Sequence, residues 1–338
     1  RGGSYNWGVL ATFERHLLAA AGARLTPVVV LNGSPEWATV IDPDVGYTSC
    51  AAIRADRFPD FAAFMSALVT RYSLPPYNVK HWEIGNEPDV DPSLVGPTAP
   101  FGCWGDIDEP YYGGEHYGHM LNAVAPAIRE ADPAAKILVG GLLLNTLSPA
   151  PGFGHSERFL EGILRAGAKN NFDIVAFHGY PSYADQRVDY DLRAPKWSSH
   201  GGIIGGKASF LREVMRRYGV DKPLHLNETG LLCNEASATC SPPRADFFQA
   251  QSDFLTRSFP RGVAAGIEQL TWYTLTNGGW RYAGLLDEDG DPRPAYFAYQ
   301  TLIAQVKGSD LPPQPVNYGN GVEAYRFTKP SGRMVDVV

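Results

Sequence analysis

The chain has 338 residues, of which 44% are hydrophobic and 19% are charged, and its 29 basic and 36 acidic residues give a formal net charge of −7. This composition is that of a globular protein and excludes a disordered, collagen-like or coiled-coil chain. No apolar run reaches the roughly 18 residues that a membrane-spanning helix needs, and the acidic balance argues against a nucleic-acid-binding protein.

Predicted strands and helices alternate along the chain. Short β-branched apolar runs predict strands, and apolar residues at helical spacing predict helices. The predicted strands cover 25–32, 79–85, 136–144, 172–178, 224–227 and 267–275, and the predicted helices cover 8–21, 58–72, 116–131, 157–168, 206–218, 246–262 and 295–306. This alternation indicates the α/β class with a parallel sheet covered on both faces. A doubly wound sheet and a barrel both fit. The long polar loops that follow strands, and the lack of a glycine-rich phosphate-binding motif, favour the barrel.

The last thirty residues have a different pattern. Residues 309–338 begin with closely spaced prolines that predict a linker. Two β-rich runs follow, Val322–Thr328 and Met334–Val338, with a Lys-Pro-Ser-Gly turn between them. We therefore predict a barrel domain over 1–308, followed by the hairpin of a β-type appendage.

The four cysteines lie in predicted loops and have no metal-site spacing. Four cysteines allow three pairings. Cys233 and Cys240 bracket a short loop and are predicted to pair locally, which leaves Cys50 with Cys103. An even number of loop cysteines favours disulfides and a secreted or extracytoplasmic location, with four reduced cysteines as the alternative.

The sequence HWEIGNEP places a carboxylate at the end of a predicted strand. Glu87 follows the strand, and Pro88 disfavours a helical conformation at Glu87. Strand alternation puts Glu83, Gly85 and Glu87 on one face. An inward-facing Glu83 is buried and needs a cationic or hydrogen-bonding partner.

The sequence LHLNETG repeats this arrangement. Glu228 ends a second predicted strand, three strands after the one that Glu87 ends. Two carboxylates at strand ends on one barrel mouth are what glycoside hydrolysis requires, one as a protonated acid and the other as an ionised nucleophile. The alternative is that each glutamate merely ends its strand.

These two segments, with SPEWA at 34–38, FHGYP at 177–181 and TWYTLTNGGW at 271–280, resemble the clan A retaining glycoside hydrolases. Within that clan, residues 5–338 most resemble glycoside hydrolase family 39 and related polysaccharide endoglycosidases. The resemblance implies a (β/α)8 TIM barrel with the acid/base on the fourth strand and the nucleophile on the seventh. Counting back from Glu87, the chain's first predicted strand matches the third, so we expect strands 1 and 2 to lack counterparts in this chain.

The resemblance implies that Glu87 is the acid/base and Glu228 the nucleophile of a glycosidase that cleaves β-glycosidic bonds of a polysaccharide or oligosaccharide through a covalent intermediate. No cofactor or metal is expected. Substrate-binding residues are implied by the resemblance, or predicted from aromatic side chains in loops, at Asn86, His178, Tyr180, Trp272, Trp37, Trp104 and Trp280.

Two alternatives remain. A catalytically inactive carbohydrate-binding barrel would keep the aromatic cleft, and a metal-dependent barrel hydrolase would need His or Asp clusters at strand ends. His116 and His119 lie one helical turn apart but lack the HExxH order of a zinc site. The acidic run at 287–291 lacks the later glutamate of a calcium-binding loop and predicts a turn.

Overall fold

The structure is a computed structural model that describes residues 5–41, 44, 46–94, 101–102, 104–147, 154–186, 188–234, 237, 239–276 and 280–338. The chain divides into two compact units. Unit 1 comprises Arg1–Ala176 and Val214–Lys222, and unit 2 comprises Phe177–Glu213 and Pro223–Val338.

Six strands alternate with helices, as the sequence predicts. The strands are β1 Val28–Leu31, β2 His81–Asn86, β3 Lys136–Leu142, β4 Ile174–Gly179, β5 Leu224–Thr229 and β6 Gln269–Trp272. The helices are α1 Ala11–Gly22, α2 Phe58–Tyr72, α3 Gly114–Ala131, α4 Phe159–Arg165, α5 Ile203–Arg217, α6 Ala245–Ala264 and α7 Pro294–Val306. The strands form one sheet in chain order, and among the described residues β1 and β6 are its edges. The predicted α/β architecture with six strands is confirmed.

In unit 1, three parallel strands are in register at the end where Glu87 lies. Val30 of β1 pairs with Glu83 of β2, and Asn86 at the end of β2 pairs with Gly141 of β3. The residues that follow β2 and β3 therefore leave the sheet side by side. This pairing brings the Glu87 segment next to the end of β3.

Helix α2 has one buried face, because its apolar residues recur at helical spacing. A proline in its first turn suits the helix start, where a backbone N–H has no partner within the helix. The buried side chains fall on one helical face: Phe58, Met65, Leu68, Val69 and Tyr72. Trp82 of β2 is also fully buried.

In unit 2, β5 and β6 are parallel, but their register shifts between Leu226 and Thr229. Such an irregularity often lies beside an active site, because it re-aims a side chain. Asn227 and Glu228 lie in this interval, and both are partly exposed while the preceding residues of β5 are buried.

A separate three-stranded antiparallel sheet follows the last helix. Its strands are β7 Gln314–Pro315, β8 Tyr325–Thr328 and β9 Met334–Val337. The predicted hairpin is therefore confirmed, and Arg326 pairs with Asp336 across it at 2.7 Å. The closely spaced prolines predicted a linker that includes 314–315, but an edge strand such as β7 tolerates proline. The boundary at residue 308 stays a prediction.

Cys233 and Cys240 form the predicted disulfide, with their Cα atoms 5.4 Å apart. Cys103 lies outside the described residues, so the pairing of Cys50 with Cys103 stays a prediction. In the described part of the chain, no helix combines the length and the apolar character that crossing a membrane requires.

Candidate active site

Glu87 lies one residue beyond β2 and is 8% exposed. Its backbone N–H donates to the Gly141 carbonyl at 3.0 Å, and the Asn86 carbonyl accepts from Gly102 N–H at 2.9 Å. Glu87 has a φ of +48°, and Gly85, two residues earlier, has +81°. A non-glycine residue in the left-handed region costs about 1–3 kcal/mol and persists only where its surroundings hold it there. The chain is therefore held in a sharp turn at Glu87.

Glu83 is fully buried in β2, and its carboxylate accepts the Gly141 N–H at 2.8 Å. Glu83 was predicted to need a cationic or hydrogen-bonding partner, and the backbone amide of Gly141 in β3 is such a partner. Gly141 is bound to β2 through both its N–H and its carbonyl, since that carbonyl accepts from Glu87.

Asp89 is a buried carboxylate that the sequence analysis did not identify as a site residue. Its two oxygens accept the N–H groups of Leu143 and Leu144, each at 2.8 Å. The available signal was its place two residues after Glu87, directly after the proline. An acidic residue that is buried there needs hydrogen-bond donors for its carboxylate.

The long loop after β2 contains another buried carboxylate and a buried tryptophan. Asp91 accepts N–H groups of Ser93 and Ile107, both at 2.8 Å. Trp104 was predicted to line a sugar cleft, but the structure buries it. Its ring packs edge-on against Tyr117, with a centroid distance of 5.3 Å.

Two other residues noted in the sequence, His116 and Trp37, also lie in unit 1. The Nε2 atom of His116 lies 2.7 Å from the Ile53 carbonyl, and the His116 ring packs against Trp104. Trp37 follows β1, is 49% exposed and has the Arg57 guanidinium 5.7 Å from its ring centroid. A contact between Trp37 and substrate stays a prediction.

In unit 2, Glu228 is bound by side chains. The Tyr180 hydroxyl donates to Glu228 Oε2 at 2.6 Å. His178 Nδ1 lies 3.4 Å from the same oxygen, and the His178 side chain is fully buried. A hydroxyl that donates to a carboxylate oxygen favours the ionised form of the carboxylate.

Two hydrogen bonds hold the end of β4, which precedes Tyr180, one of them from β5, the strand that carries Glu228. The Thr229 hydroxyl donates to the Gly179 carbonyl at 2.6 Å, which joins the end of β5 to the end of β4. The ammonium group of Lys207, which is buried, donates to the His178 carbonyl at 2.7 Å. These bonds fix the backbone of the two residues that precede Tyr180.

Three aromatic rings form an aromatic corner next to Glu228: Tyr180, Tyr273 and Trp280. Their rings meet edge-on, with centroid distances of 5.2 Å for Tyr180–Trp280 and 5.4 Å for Tyr273–Trp280. Tyr273 and Trp280 are each 39% exposed. Half-exposed aromatic faces beside a carboxylate offer the flat apolar surface on which sugar rings stack.

Trp272 was predicted to form a stacking floor for the sugar, and the structure buries it. It is 6% exposed, its indole N–H donates to the Ala283 carbonyl at 2.8 Å, and its ring packs against Phe254. Tyr273, which the sequence analysis missed, is the exposed neighbour. The signal was the alternation of β6, where adjacent side chains point to opposite faces, but the sequence did not specify which face is buried.

Taken separately, neither unit's described residues contain three His, Cys, Asp or Glu side chains close enough to share a metal ion. Unit 1 thus holds Glu87, whose backbone N–H donates to the Gly141 carbonyl, and unit 2 holds Glu228, whose carboxylate accepts from the Tyr180 hydroxyl.

No family model matches the chain, and no curated protein is similar enough in sequence to match it. Solved structures do match. A family 39 glycoside hydrolase from the gut symbiont Bacteroides cellulosilyticus WH2 superimposes with a TM-score of 0.64 at 16% identity, over 96% of this chain and 59% of that one. A glucosidase from Croceicoccus marinus gives 0.62 at 17% identity, over 97% and 60%. A monomeric β-xylosidase from Caulobacter crescentus CB15 gives 0.56 at 17% identity, over 100% and 60%.

The chain has the fold of these glycoside hydrolases. The predicted resemblance is thereby confirmed at the level of the fold, with six strands of the barrel type. The chain spans about 60% of the length of the structures it matches.

Proposed function

We propose that this chain belongs to a retaining glycoside hydrolase that cleaves β-glycosidic bonds of a polysaccharide or oligosaccharide. The observation that carries the proposal is Glu228 at the end of β5, with the Tyr180 hydroxyl on its carboxylate and the half-exposed aromatic corner beside it. Glu87 ends another strand of the same sheet, and in barrels of this fold the active site lies at the carboxyl ends of the strands.

In the first proposed step, the protonated Glu87 donates its proton to the glycosidic oxygen, and the Glu228 carboxylate attacks the anomeric carbon. The bond between that carbon and the glycosidic oxygen breaks, and the leaving group departs as an alcohol. The sugar is left as an ester of Glu228, and Glu87 is left ionised.

In the second step, Glu87 accepts a proton from water, whose oxygen attacks the anomeric carbon. The ester bond breaks, Glu228 returns to its carboxylate form, and Glu87 is again protonated. Two inversions give net retention. This double displacement predicts a separation of about 5–5.5 Å between the two carboxyl groups, and it needs no cofactor.

The remaining site residues are proposed to bind the sugar or to orient Glu228. Asn86 would donate to the sugar 2-hydroxyl, a contact that strengthens as the anomeric carbon gains positive charge. His178 and Tyr180 would orient Glu228, and Trp280 would offer a stacking face. Since Trp272 and Trp104 are buried, we propose that they support the cleft from behind.

Secretion and degradation of a polysaccharide are part of the same proposal. The Cys233–Cys240 disulfide is typical of proteins that fold in oxidising compartments. A carbohydrate polymer outside the cell is a substrate that an enzyme in such a compartment meets.

The test is hydrolysis of a panel of β-linked glycans and aryl β-glycosides, with the anomeric configuration of the first product followed by NMR. We expect turnover with retained configuration. Glu228→Gln should abolish it, whereas Glu268→Gln, an exposed glutamate just before β6, should retain it. Glycan binding by the wild-type chain without turnover would contradict the proposal and favour the inactive carbohydrate-binding protein.

A further inference from the structure

We infer that Asp89 is a positioning residue for Glu87, acting on the backbone that carries Glu87 rather than on the substrate. The inference rests on the proposed function, because it assigns Asp89 to the proton-donating half of that reaction. Three hydrogen bonds carry it, one from the Glu87 N–H and two to the Asp89 carboxylate.

The segment that follows β2 is attached to the end of β3 on both sides of Pro88. Before the proline, the Glu87 N–H donates to the Gly141 carbonyl at 3.0 Å. After it, Asp89 accepts two N–H groups of residues 143 and 144 at 2.8 Å each. The turn that carries the Glu87 side chain is therefore fixed at both ends.

The donating segment, residues 143–144, is shaped for a carboxylate. Leu144 is buried and has a φ of +47°, a left-handed conformation that a leucine rarely adopts. A left-handed residue within such a segment turns successive N–H groups toward one point and makes an anion-binding concavity. The oxygens of Asp89 occupy it, with Asp89 itself almost fully buried.

The consequence for catalysis follows from the strength of these bonds. Hydrogen bonds from amides to a buried carboxylate are stronger than bonds between neutral groups. Without them, the left-handed turn at Glu87 loses one of the two attachments that hold it. A shift of about 1 Å in a reacting group can cost about 10²-fold in rate.

The experiment compares Asp89→Asn with Asp91→Asn, the same change at another buried carboxylate of the same loop. Among the residues that the structure describes, the Asp91 carboxylate accepts from Ser93 and Ile107 of its own loop, and no bond from it to the end of β3 is seen. Each variant is assayed with a β-linked disaccharide, whose leaving group needs a proton, and with the 4-nitrophenyl glycoside of the same sugar, which does not.

We expect Asp89→Asn to lower kcat/KM for the disaccharide by about 10²-fold and for the aryl glycoside by less than about 10-fold, because only the first needs a well-placed acid. It should also shift the alkaline limb of the pH profile for the disaccharide. Asp91→Asn should change both substrates by the same factor and leave the pH profile in place. A merely structural role for Asp89 would do the same.

Equal losses for both substrates, or no loss, in Asp89→Asn would overturn the inference. If that variant does not fold, Asp89→Ser, which keeps one acceptor oxygen, is read in the same way. Glu87→Gln separates the two hypotheses. If it shows no selective loss for the disaccharide, the proposed function fails. If it shows that loss and the Asp89 variant does not, only the positioning role fails.

Discussion

The Glu87 region and the Glu228 region hold a strand-end glutamate in different ways. Glu87 is fixed through its backbone, by its own N–H bond to Gly141 and by the neighbouring carboxylate of Asp89. Glu228 is fixed through its side chain, by the Tyr180 hydroxyl on its carboxylate. These contacts thus place Glu87 through main-chain bonds, whereas the Glu228 carboxylate accepts a hydroxyl donor directly.

This difference predicts different responses to substitution. Changes around Glu228 should act on the chemistry of its carboxylate, and changes around Glu87 should act on its position. Variants of Glu228, Tyr180 and the aromatic corner test the Glu228 side of the comparison, and Asp89→Asn tests the Glu87 side. Arg261→Met tests the stability of unit 2, which holds Glu228.

Glu228→Gln should give the largest effect. Removal of a nucleophile lowers kcat by on the order of 10⁴–10⁶-fold. The loss should be similar for activated and unactivated glycosides, because both need the nucleophile, whereas Glu87→Gln should spare the activated ones. Steady-state assays on both substrate types check this. If Glu228→Gln and Glu87→Gln showed the same selectivity between activated and unactivated glycosides, the proposed division of roles would be contradicted.

Arg261→Met should lower stability by about 3–5 kcal/mol, because breaking a buried ion network leaves unpaired carboxylates. Arg261 binds Asp189 at 2.7 Å, Asp191 at 2.6 Å and Glu323 of the loop before β8. Urea unfolding at pH 7 measures the difference. A loss below about 1 kcal/mol would mean that the network behaves like an exposed one.

The same network predicts a pH dependence. The hydrogen bond from Arg261 lowers the pKa of Glu323, so this carboxylate stabilises the fold at pH above 4.5 and loses that contribution as pH falls through its folded-state pKa. Burial raises the pKa of Asp191, which acts in the opposite direction and favours the fold at lower pH. Protonation of these carboxylates removes their ion pairs with Arg261 in the wild type and their unpaired charges in Arg261→Met, so the difference in unfolding free energy between the two should narrow between pH 7 and pH 3.

Tyr180→Phe should lower kcat by about 10–10²-fold, since a hydrogen bond to a charged group contributes about 1.5–3 kcal/mol. The ring and its contacts with Trp280 remain, so KM should change little. Stopped assays over a range of substrate concentrations separate the two constants. A rise in KM at constant kcat would assign Tyr180 to substrate binding and not to Glu228.

Trp280→Ala and Tyr273→Ala should give the smallest effects, about 3–10-fold in KM, in line with the 0.5–1.5 kcal/mol of an aromatic contact. The matched control is Phe297→Ala, an exposed aromatic residue on α7. Titration of oligosaccharides into the Glu228→Gln background measures binding without turnover. Unchanged affinity in both aromatic variants would rule out the aromatic corner as a sugar-binding surface.

Local patterns predicted the fold well. β-branched runs and helical periodicity predicted each strand of the parallel sheet and each α-helix that the described residues form, with shifts of a few residues at their ends. The Cys233–Cys240 disulfide was predictable because its loop is short. The strand β7 was missed, because proline at 315 opposes a strand in general but is accepted at a sheet edge.

The candidate site was predictable only in part. Glu87 and Glu228 follow from strand ends in the sequence, and so does the hydrogen-bonding need of Glu83. Asp89 was missed because its partners lie 54 and 55 positions away in the chain. Trp272 was predicted to bind the sugar and Tyr273 was not. Strand alternation predicts that the two side chains point in opposite directions, but it does not predict which of them is exposed.

The sequence by itself determined the order of strands and helices and the two glutamates at strand ends, because periodicity and turn residues act over a few positions. Only the tertiary structure decided that Glu87 is held by the backbone of β3, that Glu228 is held by Tyr180, and that Trp272 is buried. These outcomes depend on register and packing between distant segments. Between distant segments, the free energy of folding depends on which buried polar groups find hydrogen-bond partners. No local sequence pattern encodes that pairing.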